Sequence, residues 1–254
     1  MTLLVDIGNS RVKWARLGPD GVIGEQSAAA YADWSAEDWR HALFGVAPAG
    51  RVLAASVAGD STDAALIAAA DLAGGRGVRF VAATREAGGV RNGYADPGLL
   101  GVDRWVAVIG AYARVRGACV VADLGTAATV DVLTADGSHL GGYIVPGPAL
   151  MVASLLRSTS DLDARHAAGA VARSQGLFAD NTRDAIERGG RMALAALVDR
   201  CVKDAGRGAG QRPRLLVTGG AAAEVLPHLE TPAEHVPDLV LRGLAQLARG
   251  PLEP

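Results

Sequence analysis

Ala118-Cys119-Val120-Val121-Ala122-Asp123-Leu124-Gly125-Thr126-Ala127 is an apolar run that ends in a carboxylate and then a glycine turn bearing a hydroxyl. The chain carries the same pattern at its start, where Leu3-Leu4-Val5 runs into Asp6-Ile7-Gly8-Asn9-Ser10. A second extended run follows each, Val12 to Leu17 in the first copy and Thr129 to Leu133 in the second. Each copy then turns toward a third strand, through Gly18-Pro19-Asp20-Gly21 and Ala135-Asp136-Gly137-Ser138. A further pair of matching pieces lies downstream. Arg51 to Gly59 is an apolar strand ending in small residues, and Arg214 to Ala221, with Thr218-Gly219-Gly220, repeats it. Each half therefore reads as a meander of strands followed by helix, strand and helix. That order predicts an α/β fold with two mixed-sheet halves, 1–116 and 117–254, dividing near Arg116-Gly117.

Helical spacing of apolar residues predicts helices over Ser35 to Phe44, Ser61 to Leu72, Leu100 to Arg114, Asn181 to Asp204 and Pro237 to Arg249. Two alanine-heavy stretches, Ala28 to Ala30 and Ala68 to Ala73, read as helices or their flanks. The chain of 254 residues is half apolar and one-fifth charged, which suits a globular protein with a well-buried core and excludes disorder. Lys and Arg number 25 against 27 Asp and Glu, with no long run of one sign, so nucleic-acid binding is not expected. Two cysteines and five scattered histidines (His41, His139, His166, His228, His235) offer neither a disulfide framework nor metal-ligand spacing. No basic leader precedes Leu3, and no apolar stretch approaches the ~18 residues of a membrane span, so a cytoplasmic location is expected.

A glycine turn between strands lets backbone N–H groups approach phosphate oxygens without a side chain intervening. One Asp-x-Gly turn can equally be no more than a tight hairpin. Two at matching places in duplicated halves point to a nucleotide held in a cleft between the halves. Asn9, Ser10, Thr126 and Thr129 can add donors, and a carboxylate at each strand end can hold Mg²⁺ or a monovalent cation. The P-loop, the strand-borne G-x-G-x-x-G and the G-x-S-x-G elbow are all missing from the chain. Lys13, one of only two lysines, follows the first turn and reads either as a phosphate contact or as a solvated strand residue. In Tyr94-Ala95-Asp96-Pro97-Gly98-Leu99-Leu100-Gly101-Val102-Asp103-Arg104-Trp105, a helix start carries a carboxylate beside a guanidinium. Asp103 can accept a proton from an attacking hydroxyl and Arg104 can grip an anion bidentately; the alternative is a dipole-stabilising first-turn residue beside a surface charge.

Taken together, these segments resemble the type III pantothenate kinases of the actin-like ATPase superfamily, which also holds sugar and acetate kinases. The resemblance spans nearly the whole chain. It is carried by Asp6 to Ser10 with Lys13, by Tyr94 with Pro97 and Gly101 to Trp105, and by Asp123 to Asp131 with Gly141-Gly142 and Pro146-Gly147. Asn181-Thr182 with Gly189, and Thr218-Gly219-Gly220, complete it. It implies a duplicated actin-like ATPase (ribonuclease H-like) fold and ATP-dependent phosphorylation of pantothenate to 4'-phosphopantothenate, the opening step of coenzyme A synthesis. By position it implies ATP binding by Asp6, Gly8, Asn9, Ser10, Lys13 and Thr126, with Mg²⁺. Pantothenate would meet Tyr94, Gly101, Val102, Asp103, Arg104 and Thr182, with Asp103 as proton acceptor and Arg104 on the carboxylate. Asp123 would hold K⁺ or NH₄⁺. A homodimer is implied, Thr182 reaching the other subunit's site. Departures from the family pattern fall at Ser158 to Asp163, at Asp180 and at Ala221. A catalytically idle relative acting as a regulatory accessory protein is the alternative, although Asp6, Asp103, Asp123 and Thr126 are all retained.

Overall fold

The structure is a computed structural model and describes residues 1–45, 50–75, 77–158, 175–176, 178–209 and 212–249. The departure at 159–163 and His166 lie outside the described residues. The chain forms two compact units. One gathers the described residues within Met1–Cys119, Leu133–Gly141 and Asp238–Pro254; the other gathers those within Val120–Val132 and Gly142–Pro237.

In the first unit, β1 (Thr2–Ile7) is the central strand. On one side it pairs antiparallel with β2 (Arg11–Leu17), which pairs antiparallel with β3 (Ser27–Ala30). On the other it pairs parallel with β4 (Arg51–Ser56), which pairs parallel with β5 (Val78–Phe80). The sheet order is β3-β2-β1-β4-β5. Leu3, Val5 and Ile7 alternate onto the face that packs against α1 (Ala36–Phe44) and α2 (Asp60–Leu72). Leu4 is equally buried, so β1 reads as a continuous apolar run because both of its faces are covered. Ser35 opens α1 with a capping box: its hydroxyl accepts from the Asp38 amide and the Asp38 carboxylate accepts from the Ser35 amide at 2.8 Å. Trp34 and Trp39 pack edge-on at 5.1 Å between ring centroids, and Tyr31 joins them 5.3 Å from Trp39.

The second sheet repeats the first. Its strands are β8 (Cys119–Leu124), β9 (Ala127–Leu133), β10 (His139–Pro146), β11 (Arg214–Thr218) and β12 (Ala233–His235). Their order, β10-β9-β8-β11-β12, places third, second, first, fourth and fifth strand as in the first sheet. A positive-φ glycine follows the fourth strand in each, Gly59 at +91° and Gly219 at +93°. α4 (Pro148–Ser158), α5 (Thr182–Ala209) and the short α6 (Ala222–Val225) belong to this half. Val198, Val202 and Leu194 of α5 share a buried cluster with Val120, Val130 and Val217 of the sheet. A small hairpin, β6 (Glu86–Ala87) with β7 (Val90–Arg91), precedes α3 (Val102–Val115), which packs on the last helix, α7 (Leu239–Arg249). No helix among the described residues is long and apolar enough to cross a membrane.

The alternation of sheet and helix and the duplicated mixed sheets are as the sequence predicted. One expectation fails: Ala28 to Ala30 is not helical but forms the edge strand β3, with Lys13 opposite Ala28. Pairing with β2 overrides the helix preference of three alanines, because ladder hydrogen bonds to a neighbouring strand outweigh a propensity difference of a few tenths of a kcal/mol per residue. The β6–β7 hairpin, two residues per strand, was too short to register as a strand in the sequence.

α3 is buried continuously from Arg104 to Ala111, and α7 crosses it at glycines. A Cβ on Gly243 would land on the Val106 carbonyl, and one on Gly110 would sit 2.9 Å from the Gly243 amide. Both obstacles are backbone, so neither helix can yield without moving as a whole. Gly243→Ala is therefore expected to cost about 1–3 kcal/mol of unfolding free energy, the usual range for overpacking. Urea denaturation measures it, and an unchanged midpoint would show that the crossing is looser than described.

Candidate active site

The start of α3 gathers Asp103, Arg104 and the Tyr94 hydroxyl. Gly101 is the N-cap residue, with extended backbone (ψ 131°), and Asp103 stands in the first turn. The Asp103 carboxylate folds back so that Oδ1 accepts from the Arg104 amide at 2.8 Å. It occupies the space beside Gly101: a Cβ there would lie 2.7 Å from Asp103 Oδ1. The helix N-terminus favours negative charge at that point. Arg104 is only 6% exposed, yet its Nη1 donates to the Tyr94 hydroxyl at 3.0 Å and its Cζ lies 5.8 Å from the Tyr94 ring centroid. A guanidinium buried to this degree must be partnered, and it is held in one orientation by that hydroxyl and ring. Trp105, next in the chain, points into the core with no solvent exposure.

Tyr94 is fixed by its own loop. Buried Asn92 accepts from the Tyr94 amide at 3.0 Å and donates through Nδ2 to the Thr84 and Pro97 carbonyls. Arg85 donates to the Tyr94 carbonyl at 2.9 Å and to the Ala95 carbonyl at 2.8 Å. Asp96 caps the following 3-10 turn by accepting from the Gly98 amide.

In the first hairpin, Asp6 is 8% exposed at the end of β1 and stands directly opposite Lys13 of β2. Side chains so paired lie on one face, so a carboxylate and an ammonium share the mouth of the turn. The Lys13 ammonium makes no hydrogen bond or ion pair with the described residues. The turn itself is closed by the Gly8 amide, which donates to the Arg11 carbonyl, and by the Tyr31 hydroxyl, which donates to the Gly8 carbonyl at 2.5 Å. Burial pushes the Tyr31 phenol above its ordinary range, so that donor stays protonated. Asn9 and Ser10 are exposed at the tip.

In the second hairpin, Asp123 is half-buried at the end of β8 and Thr126 is exposed in the turn. The turn is shaped by glycines that meet its backbone. A Cβ on Gly219 would sit 2.5 Å from Asp123 Oδ1 and press on the Leu124 carbonyl, and the Ala221 amide donates to that carbonyl at 2.8 Å. The Gly147 amide donates to the Thr126 carbonyl at 2.9 Å, and a Cβ on Gly147 would strike the Gly125 carbonyl. Thr182 begins α5, whose N-cap is Asn181: its side-chain oxygen accepts from the Asp184 amide at 2.9 Å. Thr182 lines an apolar groove of about 520 Å³ with Met151, Leu155, Ile186 and neighbours; neither Asp123 nor Thr126 is part of that lining. Among the described residues no group of three or more His, Cys, Asp and Glu side chains is placed to hold a metal ion.

A model of the type III pantothenate kinase family matches residues 2–204. The chain is a member of the type III pantothenate kinase family. A type III pantothenate kinase of Halorhodospira halophila is 42% identical over 256 residues, covering 98% of both chains. That of Nitrosococcus oceani is 37% identical over 259 residues, covering 98% of this chain and 94% of the other. Among solved structures, component A of the Acidaminococcus fermentans (R)-2-hydroxyglutaryl-CoA dehydratase superposes with a TM-score of 0.53 at 15% identity, covering 97% of this chain and 95% of that one. A glucokinase from an Antarctic psychrotroph gives 0.50 at 11% identity, covering 98% and 99%. These two show the fold, a duplicated α/β architecture shared with sugar kinases.

Of the residues singled out from the sequence, the structure joins Tyr94 to Arg104 and Gly101 to Asp103, and puts Asp6, Gly8, Asn9, Ser10 and Lys13 on one hairpin. Asp123 and Thr126 share the other. What sequence reasoning missed is the support that Tyr94 receives from Arg85 and Asn92. The Arg91-Asn92-Gly93 turn was the visible signal for Asn92, but two of its three side-chain hydrogen bonds depend on carbonyls several residues away. Asn92→Ala leaves partly buried backbone groups without their side-chain partner and is expected to lower unfolding free energy by about 1 kcal/mol. Urea denaturation checks it; a loss within error would show that water replaces the amide.

Proposed function

We propose that this chain is a pantothenate kinase that transfers the γ-phosphoryl group of ATP to the pantothenate hydroxyl, giving 4'-phosphopantothenate for coenzyme A synthesis. The observation that carries the reading is the start of α3, where the Asp103 carboxylate sits on the Arg104 amide and the Arg104 guanidinium is bonded to Tyr94. A carboxylate next to a fixed cation is what a substrate with a hydroxyl at one end and a carboxylate at the other requires. Arg104 takes the carboxylate and Asp103 orients the hydroxyl and accepts its proton, with Tyr94, Gly101 and Val102 completing the pocket.

Phosphoryl transfer through a loose transition state asks the protein mainly for positioning and charge neutralisation. Asp6, Gly8, Asn9, Ser10 and Lys13 in the half 1–116, and Thr126 in the half 117–254, bind the phosphates of ATP. Among the described residues no side chain engages the Lys13 ammonium. Mg²⁺ fits this set as an ion carried by the phosphates and water and touched by a single carboxylate. It neutralises phosphate charge when bound. Asp123 offers oxygen ligands for K⁺ or NH₄⁺ beside the Gly219 turn.

The groove that Thr182 lines, with Leu155 49% and Met192 52% exposed on α4 and α5, supports a homodimer in which Thr182 serves the partner's site. A cytoplasmic location accords with two buried, unbridged cysteines.

Release of ADP in the presence of ATP, Mg²⁺ and K⁺, with and without pantothenate, tests the activity. Asp103→Asn should lower kcat by ~10²–10⁴-fold, the loss expected for a positioned base. A near-normal kcat in the folded variant removes Asp103 from that role. Gly101→Ala should lower kcat with little change in the pantothenate KM, because its methyl group displaces the Asp103 carboxylate. Wild-type kcat in that variant would mean the carboxylate finds another route to the hydroxyl. Asp123→Asn should weaken activation by K⁺; equal activation in both proteins would place the cation elsewhere.

A further inference from the structure

The edge strand β3 runs beside β2 with Ala30 opposite Arg11, so the next residue, Tyr31, emerges level with the tip of the first hairpin. A slip of one residue in that register would turn the side chain to the other face. The Tyr31 hydroxyl donates to the Gly8 carbonyl at 2.5 Å. The rest of the residue is seated away from the hairpin. Its ring lies 5.3 Å from that of Trp39, which is 1% exposed and packed edge-on by Trp34, and its own carbonyl accepts from the Trp34 amide at 3.0 Å. The Thr62 side chain, in the first turn of α2, also meets the phenol oxygen. A phenol has one proton to give, and the Gly8 carbonyl takes it, so Thr62 is the donor in that second contact.

We propose that Tyr31 is a positioning residue for ATP: its hydroxyl holds the Gly8–Asn9 peptide in the orientation that turns the Asn9 amide toward the phosphates. The proposal rests on the reading of the first hairpin as a phosphate contact. Gly8 is the one residue of the Gly8-Asn9-Ser10 turn without a Cβ. Its φ is not left-handed, and among the described residues a Cβ there would meet the Arg11 carbonyl at an ordinary 3.5 Å. Neither backbone conformation nor packing therefore demands a glycine. What the missing side chain leaves is open approach to the backbone, together with a looser chain, since glycine samples more conformations than any other residue. The Gly8 amide, bonded to the Arg11 carbonyl at 3.0 Å, fixes the peptide before Gly8. The peptide after it is the one Tyr31 holds. That peptide is trans, so its C=O and N–H point to opposite sides of one rigid plane. Anchoring the oxygen on the Tyr31 side therefore sends the Asn9 N–H to the other.

Tyr31→Phe removes one oxygen and keeps the ring on Trp39, so it tests the hydroxyl with the packing intact. The phosphates are held both before and during transfer, so slack in the turn raises the KM for ATP and leaves kcat nearly unchanged. Tyr31→Phe should raise that KM by about three- to tenfold, the factor that goes with one hydrogen bond. The pantothenate KM should stay within about twofold of wild type. Tyr31→Leu, which loses the ring as well, should show the same ATP KM as Tyr31→Phe but a lower urea midpoint. A wild-type ATP KM in Tyr31→Phe with a rise only in Tyr31→Leu would assign the effect to packing and overturn the proposal. Equal rises in both substrates' KM would overturn it too, in favour of general loosening of the fold. Lys13→Ala reports on the reading beneath. Should neither Lys13→Ala nor Tyr31→Phe move the ATP KM, the phosphate reading of the hairpin fails first and the role of Tyr31 falls with it. A raised ATP KM in Lys13→Ala together with a wild-type one in both Tyr31 variants would refute Tyr31 alone.

Discussion

The central strand of each sheet is paired antiparallel on one side and parallel on the other, and that mixed pairing dictates where the turns of each half must lie. In the first sheet Ile7 ends β1 opposite both Val12, across the hairpin, and Ser56, the last residue of β4. The tight turn after β1 and the turn into the helix after β4 must therefore lie side by side at one end of the sheet. An antiparallel neighbour lets the chain return at once through glycine; a parallel neighbour sends it away into a helix. In the second sheet the contact between the two turns is explicit, with Gly219 set against Asp123 and Leu124. Carboxylate, glycine backbone and hydroxyl converge there because the ladder gives them nowhere else to go.

The glycines serve this geometry in two ways. Gly59 and Gly219 take a backbone conformation that other residues adopt at a cost. Gly147, Gly142 and Gly93 are needed for space, since a Cβ on each would strike a carbonyl of a neighbouring segment. Backbone segments that approach this closely leave no room for side chains between them.

A second constraint acts at α3. Burying a guanidinium is costly unless it is hydrogen-bonded, and Arg104 is nearly fully buried. The loop over 84–101 meets that need by locking Tyr94, and it does so with short-range devices: an asparagine that bridges three backbone groups and an arginine that spans two carbonyls. Asp103 stays at the helix mouth, where the first-turn amide and the macrodipole favour its charge. One helix terminus thus carries a first-turn carboxylate and, next in the chain, a buried guanidinium.

Much of this was legible in the sequence. The two Asp-x-Gly hairpins, the strand-helix order of each half and the helix beginning near Leu100 follow from periodicity and turn chemistry, which are local properties. The group at Gly101, Asp103 and Arg104 was visible because its members are adjacent in the chain. Three things were decided only by the tertiary structure. Ala28 to Ala30 became an edge strand because β2 offered an open ladder. Asn92 gained its role from carbonyls that only the folded loop brings within reach. His139 came to face Tyr94 because β10 passes Gly93 at contact distance. Sequence pattern specifies what each segment prefers, but a contact between residues far apart in the chain has no local signature until chain closure fixes both ends.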